Sequence, residues 1–320
     1  MPTAKRFTQF NQFVLLGLRF GLPVLIGLCC IIRLSVKDRF FGPSILYYAL
    51  TWLALGILSF VAAVAWGTKS SRNLTSCGVF ALLGVVQLFT GWWEHQGRGA
   101  GIDEPGIDIV YWNVARPSAK RWPGVLETIK ATNADIIVLG EAKKQEQISP
   151  ALLKEHFPAY KFARFSTCGM TLLVRGEVLQ REQARFAKRH KHFVATVLVH
   201  GRELEIHGVD LHSSPFADKK VPFDALHQRM AAHSSGKPAI VVGDFNTPWD
   251  SVQFERMKTQ FRHALRAGQG GGIATWPNPL PVLAIDHIWV ERDLKLLRAG
   301  RKIGLQSDHA MIFCTILPPP

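Results

Sequence analysis

From Ile45 to Trp66 the chain carries no charged residue, and the same holds from Ser76 to Trp93. A third apolar run, Phe13 to Ile32, is interrupted only by Arg19. A helix needs roughly 20 apolar residues to cross a bilayer. Three such runs in succession leave no polar face for water. The first hundred residues are therefore expected to form a membrane anchor of about three transmembrane α-helices, near 13–32, 45–66 and 76–93. Arg19 lies near one end of its run, where a long aliphatic stem lets the guanidinium reach the interface. Tyr47, Tyr48, Trp66, Trp92 and Trp93 lie near run ends, as an interfacial aromatic belt requires. The start is basic at Lys5-Arg6, as in a secretory signal, but no small-residue cleavage site follows and two more runs do. The segment reads as a retained anchor.

Charge separates the two parts of the chain. Residues 1–100 hold 9 Lys/Arg against 2 Asp/Glu, and residues 101–320 hold 29 against 22, a net of +7 each and +14 together. The second part has the composition of a water-facing domain. Its basic surplus favours anionic partners (phosphate esters, nucleic acid or lipid headgroups) without choosing among them. With three spans, Lys5, Arg6, Lys69 and Arg72 fall on one side, and Arg33, Lys37, Arg39 and Arg98 on the other. Four against four leaves the orientation undecided by positive charge. Cys29, Cys30 and Cys77 sit in apolar runs, and Cys168 and Cys314 have no disulfide or zinc spacing. A Gly-x-Ser-x-Gly motif is absent, which argues against a serine hydrolase. The glycine-rich stretch Gly268–Gly272 lacks the Lys-Ser/Thr of a phosphate-binding loop and reads as a surface loop.

From about residue 106 short apolar strands alternate with helical stretches. Ile107–Val114 reads as a strand ending near Asn113, Trp122–Ala131 as a helix, and Asp135–Glu141 as a buried strand ending in a carboxylate. His192–His200 and Leu204–Leu211 read as a hairpin around Gly201-Arg202, running into His212. Phe223–His233 reads as a helix, Ala239–Val242 as a strand leading to Asp244, and 284–290 and 310–316 as the last strands. Strands that end in carboxylate, amide or imidazole groups predict packed sheets holding reactive groups at one rim, with helices outside. Such a set suits metal-assisted hydrolysis of a phosphate ester.

The ordered motifs Trp112-Asn113, Gly140-Glu141, His212-Ser213-Ser214-Pro215, Gly243-Asp244-Phe245-Asn246-Thr247-Pro248, Ile285-Asp286-His287-Ile288 and Ser307-Asp308-His309 resemble the endonuclease/exonuclease/phosphatase superfamily. The resemblance covers roughly residues 106–317. It implies an α+β, DNase I-like four-layer α/β/β/α sandwich behind the transmembrane helices. Thr275-Trp276-Pro277 resembles the membrane-tethered bacterial branch, which implies an inner-membrane protein with its catalytic domain on the extracytoplasmic face. The resemblance implies that Glu141, with Asn113 and Asp308, holds Mg2+ or Mn2+, hard cations that take oxygen ligands. His309 is implied as general base or phosphate ligand, oriented by Asp286. Asp244 and Asn246 are implied to align the water and scissile phosphate, and His212 to donate to a phosphate or leaving oxygen.

His207 and His287 read as structural, and Asp210 as a strand-end acid sharing a face with His212. The basic run Arg181, Arg185, Lys188, Arg189 and Lys191 reads chiefly as a solvated stretch. The leading expectation is a membrane-anchored, metal-dependent phosphohydrolase (phosphodiesterase or phosphatase) with a lipid-linked phosphate as substrate. A nuclease of the same fold, touching nucleic acid through that basic run, is the alternative. A catalytically inactive membrane receptor or scaffold is the second alternative, opposed by the full motif set.

Overall fold

The computed structural model describes residues 11–67, 71–94, 96–97, 104–142, 149–233, 236–268 and 271–317. Lys5, Arg6, Lys69 and Arg98, weighed above for orientation, and Gln269-Gly270 of the glycine-rich stretch lie outside them. The chain divides into two compact units, residues 1–94 with 215–217, and 95–214 with 218–320.

The first unit is helical: α1 (Asn11–Val36), α2 (Phe41–Ala49), α3 (Trp52–Trp66) and α4 (Ser71–Glu94). Helix α1 and residues Asn73–Trp93 of α4 are each long and apolar enough to span a membrane. Helices α2 and α3 meet at a 73° bend and make a third span only if taken together. The apolar run from Ile45 to Trp66 is thus broken at Leu50-Thr51. Thr51 caps the new helix, its Oγ1 accepting from Ala54 N at 3.2 Å. The carbonyls released by the break are taken by the buried Arg33, whose Nη1 donates to Tyr47 O at 2.9 Å and Leu50 O at 3.3 Å. Its guanidinium lies over the rings of Tyr47 and Trp52, at 4.8 and 5.3 Å. In an apolar medium an unsatisfied carbonyl costs several kcal/mol, so a cation on those carbonyls is what makes the break tolerable. Arg19 is also used internally, with Nε donating to Ala65 O at 2.8 Å in the last turn of α3. Helices α3 and α4 meet through small residues: a side chain at Gly56, Gly84 or Gly91 would collide with Leu88, Phe60 or Trp52.

The second unit holds two six-stranded sheets. Its strands are β1 (Ile107–Asn113), β2 (Ile136–Gly140), β3 (Lys161–Phe165), β4 (Met170–Val174), β5 (Glu177–Phe186) and β6 (His190–Val199). They continue as β7 (Arg202–Asp210), β8 (Ala239–Asp244), β9 (Phe261–His263), β10 (Asp286–Glu291), β11 (Leu296–Lys302) and β12 (Met311–Ile316). One sheet has the order β11-β12-β1-β2-β4-β3, the other β9-β10-β8-β7-β6-β5. Each contains one parallel pair, β1 with β2 and β7 with β8, and all other pairings in these sheets are antiparallel. A parallel pair needs a crossover, supplied by α5 (Trp122–Lys130) and α7 (Lys220–Ala232).

The central strands are buried on both faces. Ile109, Tyr111 and Val138 of one sheet pack with Phe193, Ile206, Val242 and Ile288 of the other. On the outer face of the first sheet, Val110, Trp112, Ile137 and Leu139 meet Val125, Leu126 and Ile129 of α5 and Leu153 of α6 (Pro150–His156). On the outer face of the second, Val209, Val241 and Trp289 meet Phe223 and Leu226 of α7 and Met257 of α8 (Glu255–Gln260). The result is the expected α/β/β/α sandwich. Strands β3, β4, β5, β9 and β11 were not anticipated. Strand β5 is an edge strand whose exposed residues are mostly charged, a pattern that protects a free edge and hides it from hydrophobic periodicity.

His207 is structural, as expected. Arg229 Nε donates to His192 Nδ1 at 3.3 Å, His192 Nε2 meets His207 Nδ1 at 2.9 Å, and His207 Nε2 meets Glu205 Oε1 at 2.6 Å. That sequence of donors fixes both tautomers. His227 on α7 is buried, and its Nε2 has no hydrogen-bond partner among the described residues. Burial, then the Arg256 charge, lowers its pKa to about 4, while the unfolded value is about 6.5. Between those values the unfolded chain binds the extra proton, so stability falls as pH drops through that window and is unaffected by this group above it. His227→Leu is expected to flatten the acid limb of the urea-midpoint profile between pH 6.5 and 4. It should also raise the unfolding free energy at pH 7, by about 1 kcal/mol, because an orphaned polar atom is removed.

Candidate active site

The two parallel pairs bring the carboxyl ends of β1, β2, β7 and β8 to one rim of the sandwich. Strands β10 and β12 run antiparallel to their neighbours and begin at that rim. Asn113, Glu141, His212, Asp244, Asn246, Asp286, Asp308 and His309 all lie in or beside these strand ends.

The Ser-Asp-His triplet is fastened to the end of β1. Ser307 Oγ donates to Asn113 O at 2.7 Å, His309 N donates to Ser307 Oγ at 3.1 Å, and Trp112 Nε1 donates to His309 O at 3.0 Å. Asp286 is fully buried, its backbone N donating to Thr275 Oγ1 at 3.1 Å. His309 Nδ1 meets Asp286 Oδ2 at 2.8 Å, which leaves Nε2 as the outward nitrogen. Asp244 stands directly opposite Asp286 in the β8–β10 register. Its Oδ2 accepts from Asn113 Nδ2 at 3.1 Å and its Oδ1 from Asn246 N at 2.8 Å. Asn246 Nδ2 in turn donates to Leu211 O at 2.8 Å, tying β8 to the end of β7.

Glu141 and Asp308 flank this group, held by Arg116, which sequence reasoning did not single out, and by Trp276, which it noted only as part of a branch motif. Glu141 Oε1 pairs with Arg116 Nη2 at 2.8 Å, and Trp276 Nε1 donates to Asp308 Oδ2 at 3.1 Å. Glu141 and Asn246 have φ of 53° and 46°, and Ala115 and Arg116 have 51° and 47°. Left-handed backbone at a non-glycine residue costs roughly 1–2 kcal/mol, and its concentration at strand exits marks a functional rim. Gly140 has a packing reason: a side chain there would strike the hydroxyl of the buried Tyr111. His287 points to the opposite face, with Nε2 against Thr247 O at 2.9 Å and Nδ1 against His263 Nε2 at 2.8 Å. Asp210 lies beside Asp244 across the β7–β8 pair and forms an ion pair with Lys191.

The electrostatics follow from the burial. Burial and then the charge of Asp286 push the Asp244 carboxyl well above its usual range, with His309 opposing. Burial by itself would lower the His309 pKa, but the charge and hydrogen bond of Asp286, with Asp244 and Asp308, overcome it and raise it to about 10. Asp244, Asp286 and His309 each place a ligand atom within 4.8 Å of the others, and all three are buried. Two carboxyl groups thus meet one imidazole in a buried space. Asp286 Oδ1 is buried without a hydrogen-bond partner among the described residues. An orphaned carboxylate oxygen in an acidic cluster fits a hard divalent cation.

The chain belongs to the Endonuclease/Exonuclease/phosphatase family, whose model matches residues 110–309. The activities in that family's name all cleave phosphate esters. No curated protein matches the chain. Among solved structures, a humanized zebrafish (D. rerio) TDP2 superposes with a TM-score of 0.56 at 17% identity, over 66% of this chain and 98% of that one. The human Nocturnin catalytic domain with bound sulfate gives 0.56 at 18%, over 68% and 96%. A mannosyl-6-phosphatase of Bacteroides thetaiotaomicron gives 0.54 at 14%, over 66% and 99%. These likenesses extend the fold assignment across the second unit.

Replacing one member of the opposed acid pair separates stability from metal binding. Asp244→Asn is expected to keep or raise the melting temperature in chelator, since it relieves repulsion with Asp286. The same variant should weaken Mn2+ binding by at least about 10-fold, read by calorimetry or electron paramagnetic resonance.

Proposed function

We propose that this protein is a membrane-anchored, divalent-metal-dependent phosphohydrolase acting on lipid-linked phosphate. The observation that carries the reading is the buried Asp244–Asp286–His309 cluster at the rim shared by both sheets. Mg2+ or Mn2+ held by Glu141, with Asn113 and Asp308, beside the Asp244–Asp286 pair, would neutralise phosphate charge and polarise the phosphorus–oxygen bonds.

The chain's own groups supply the rest. His309, charged at neutral pH, donates from Nε2 to a phosphoryl oxygen, with Asp286 holding its plane. Asp244, with its raised pKa, is placed to take a proton from the attacking water, and Asn246 and Asn113 fix its carboxylate in direction. His212 stands on the β7 side of the rim to meet the leaving oxygen. In this reading the catalytic domain faces the extracytoplasmic side of a bacterial inner membrane.

A lipid substrate is supported by exposed apolar side chains beside the reactive group. Leu280 and Leu305 are 79% and 84% exposed. Their loops are laced together by Asn278, whose Nδ2 donates to Gly304 O and Ser307 O at 3.1 Å. Asn278 N also donates to Asp308 O at 2.7 Å, one residue from His309. Such leucines suit a substrate with a hydrocarbon tail better than a polyanionic duplex. The nuclease reading retains one observation, the exposed Arg181 and Arg185 on the edge strand β5. Another zebrafish TDP2 structure, 17% identical, is complexed with a single-strand DNA product.

The deciding experiment is a substrate panel on the full chain in detergent with Mg2+. Phosphate or headgroup release from polyprenyl or phospholipid phosphates is expected, abolished by chelator. His309→Ala should lower it by about 10³-fold or more, and Glu141→Ala should also lose activity. Nicking of plasmid DNA that is lost in Glu141→Ala, with no lipid turnover, would make the protein a nuclease. Failure to bind Mg2+ would point to an inactive scaffold.

A further inference from the structure

The β5–β6 hairpin ends in a tight turn at the same rim. Ala187 and Lys188 have φ of 41° and 72°, and Arg189 N donates to Ala187 O at 3.0 Å. The turn is joined to the loop after β7, because His212 N donates to His190 Nδ1 at 3.1 Å. From the other side the buried Lys219 donates from Nζ to His212 O at 2.6 Å. His212 is thus held at both its backbone groups.

Its ring has one allowed tautomer. Ser214 N donates to His212 Nδ1 at 3.2 Å, so Nδ1 is an acceptor and a neutral ring carries its hydrogen on Nε2. Burial and the neighbouring charges of Arg189 and Lys219 lower its pKa, which keeps the ring neutral. Yet Nε2 faces Arg189 Nη1 at 3.2 Å, and a guanidinium has no acceptor. Two N–H donors therefore converge with nothing between them to accept. Among the described residues no carboxylate lies within ion-pair distance of Arg189, and Asp210, the acid beside Asp244, is engaged by Lys191. Across the rim the charge runs from acidic at Glu141, Asp286 and Asp244 to basic at Lys191, Lys219 and Arg189. Convergent donors at the basic end are complementary to an anionic oxygen.

We propose that Arg189 is a substrate-binding residue, and that Arg189 Nη1 and His212 Nε2 together receive an oxygen of a second phosphoryl group, so that the favoured substrates are diphosphate esters. The scissile phosphate belongs at Asp244 and His309. The donor pair lies on the β7 side of β8: Leu211, the residue before His212, donates from N to Asp244 O at 2.9 Å and accepts at O from Asn246 Nδ2 at 2.8 Å. An oxygen at that spot sits on the neighbouring phosphate of a diphosphate. In the reaction, water oxygen bonds to the terminal phosphorus and the P–O–P bridge opens. The water proton leaves through Asp244 to solvent, and the departing phosphate's new negative charge rests on Arg189 and His212. The inference builds on the phosphohydrolase reading and adds the substrate class.

The test uses the full chain in detergent with Mg2+ and two non-hydrolysable probes, methylenediphosphonate and methylphosphonate, titrated by calorimetry. The parent protein is expected to prefer the diphosphonate by about 10-fold or more. Arg189→Ala should lose that preference while binding methylphosphonate as before, and Arg189→Lys should recover part of it. Lys188→Ala, which removes the adjacent cation, should keep the preference. With turnover, Arg189→Ala should raise KM for diphosphate esters and also lower kcat, because the charge it meets grows as the bridge opens. Equal weakening of both probes in Arg189→Ala, loss of preference in Lys188→Ala, or no preference in the parent would overturn the proposal. Diphosphonate preference without hydrolysis of any ester would instead reject the enzymatic reading and leave the subsite standing.

Discussion

Asp244 and Asp286 face each other across one strand pair, both buried, with the imidazole of His309 beside them. Two like charges in that position are unfavourable, and a chain under selection for stability alone would remove one of them. The surrounding structure makes the arrangement possible. Asn113 and the Asn246 amide each spend a donor on Asp244, His309 spends one on Asp286, and Thr275 holds the backbone from which Asp286 projects. Every one of these partners comes from a different segment of the chain. The two-sheet frame is what makes their meeting reliable.

The frame does this through strand direction. A parallel pair at the centre of each sheet delivers four carboxyl ends to one edge, and antiparallel neighbours on either side start from it. Strands buried on both faces cannot slip by a residue without sending their apolar side chains to the wrong layer, so the reactive groups are positioned by the cores beneath them. The outer layers contribute directly as well. Trp112 belongs to the core under α5, yet its indole N–H holds the carbonyl of His309. The helical first unit uses polar groups as sparingly. Ser59 and Gln87 bond to each other at 2.7 Å, and Arg33 and Arg19 satisfy helix-end carbonyls.

Much of this is legible from residue order. Uncharged runs of span length, strand-end motifs and the spacing of Asp286 to His309 point to the anchor, the sandwich and the rim. Other features escape because their signal lies in three dimensions. The break at Leu50-Thr51 has no proline or glycine to mark it, and depends on Arg33 arriving from another helix. Strand β5 carries no apolar stripe, because an edge strand needs none. Arg116 and Trp276, which hold Glu141 and Asp308, become visible only when loops 25 and 32 residues away in sequence come together.

By itself, the sequence determined that the first part of this chain holds helices long and apolar enough to cross a membrane and that the remainder folds as a layered α+β domain of the endonuclease/exonuclease/phosphatase family. Those properties rest on local hydrophobicity, period and motif order, which are written along the chain. Only the tertiary structure decided that Asp244 opposes Asp286, that Asp286 keeps an unpartnered oxygen, and that Arg189 returns to the ring of His212. These are relations between strands distant in sequence. Strand pairing and register bring the acids within a few ångströms, and that proximity determines which groups are charged and what they can hold.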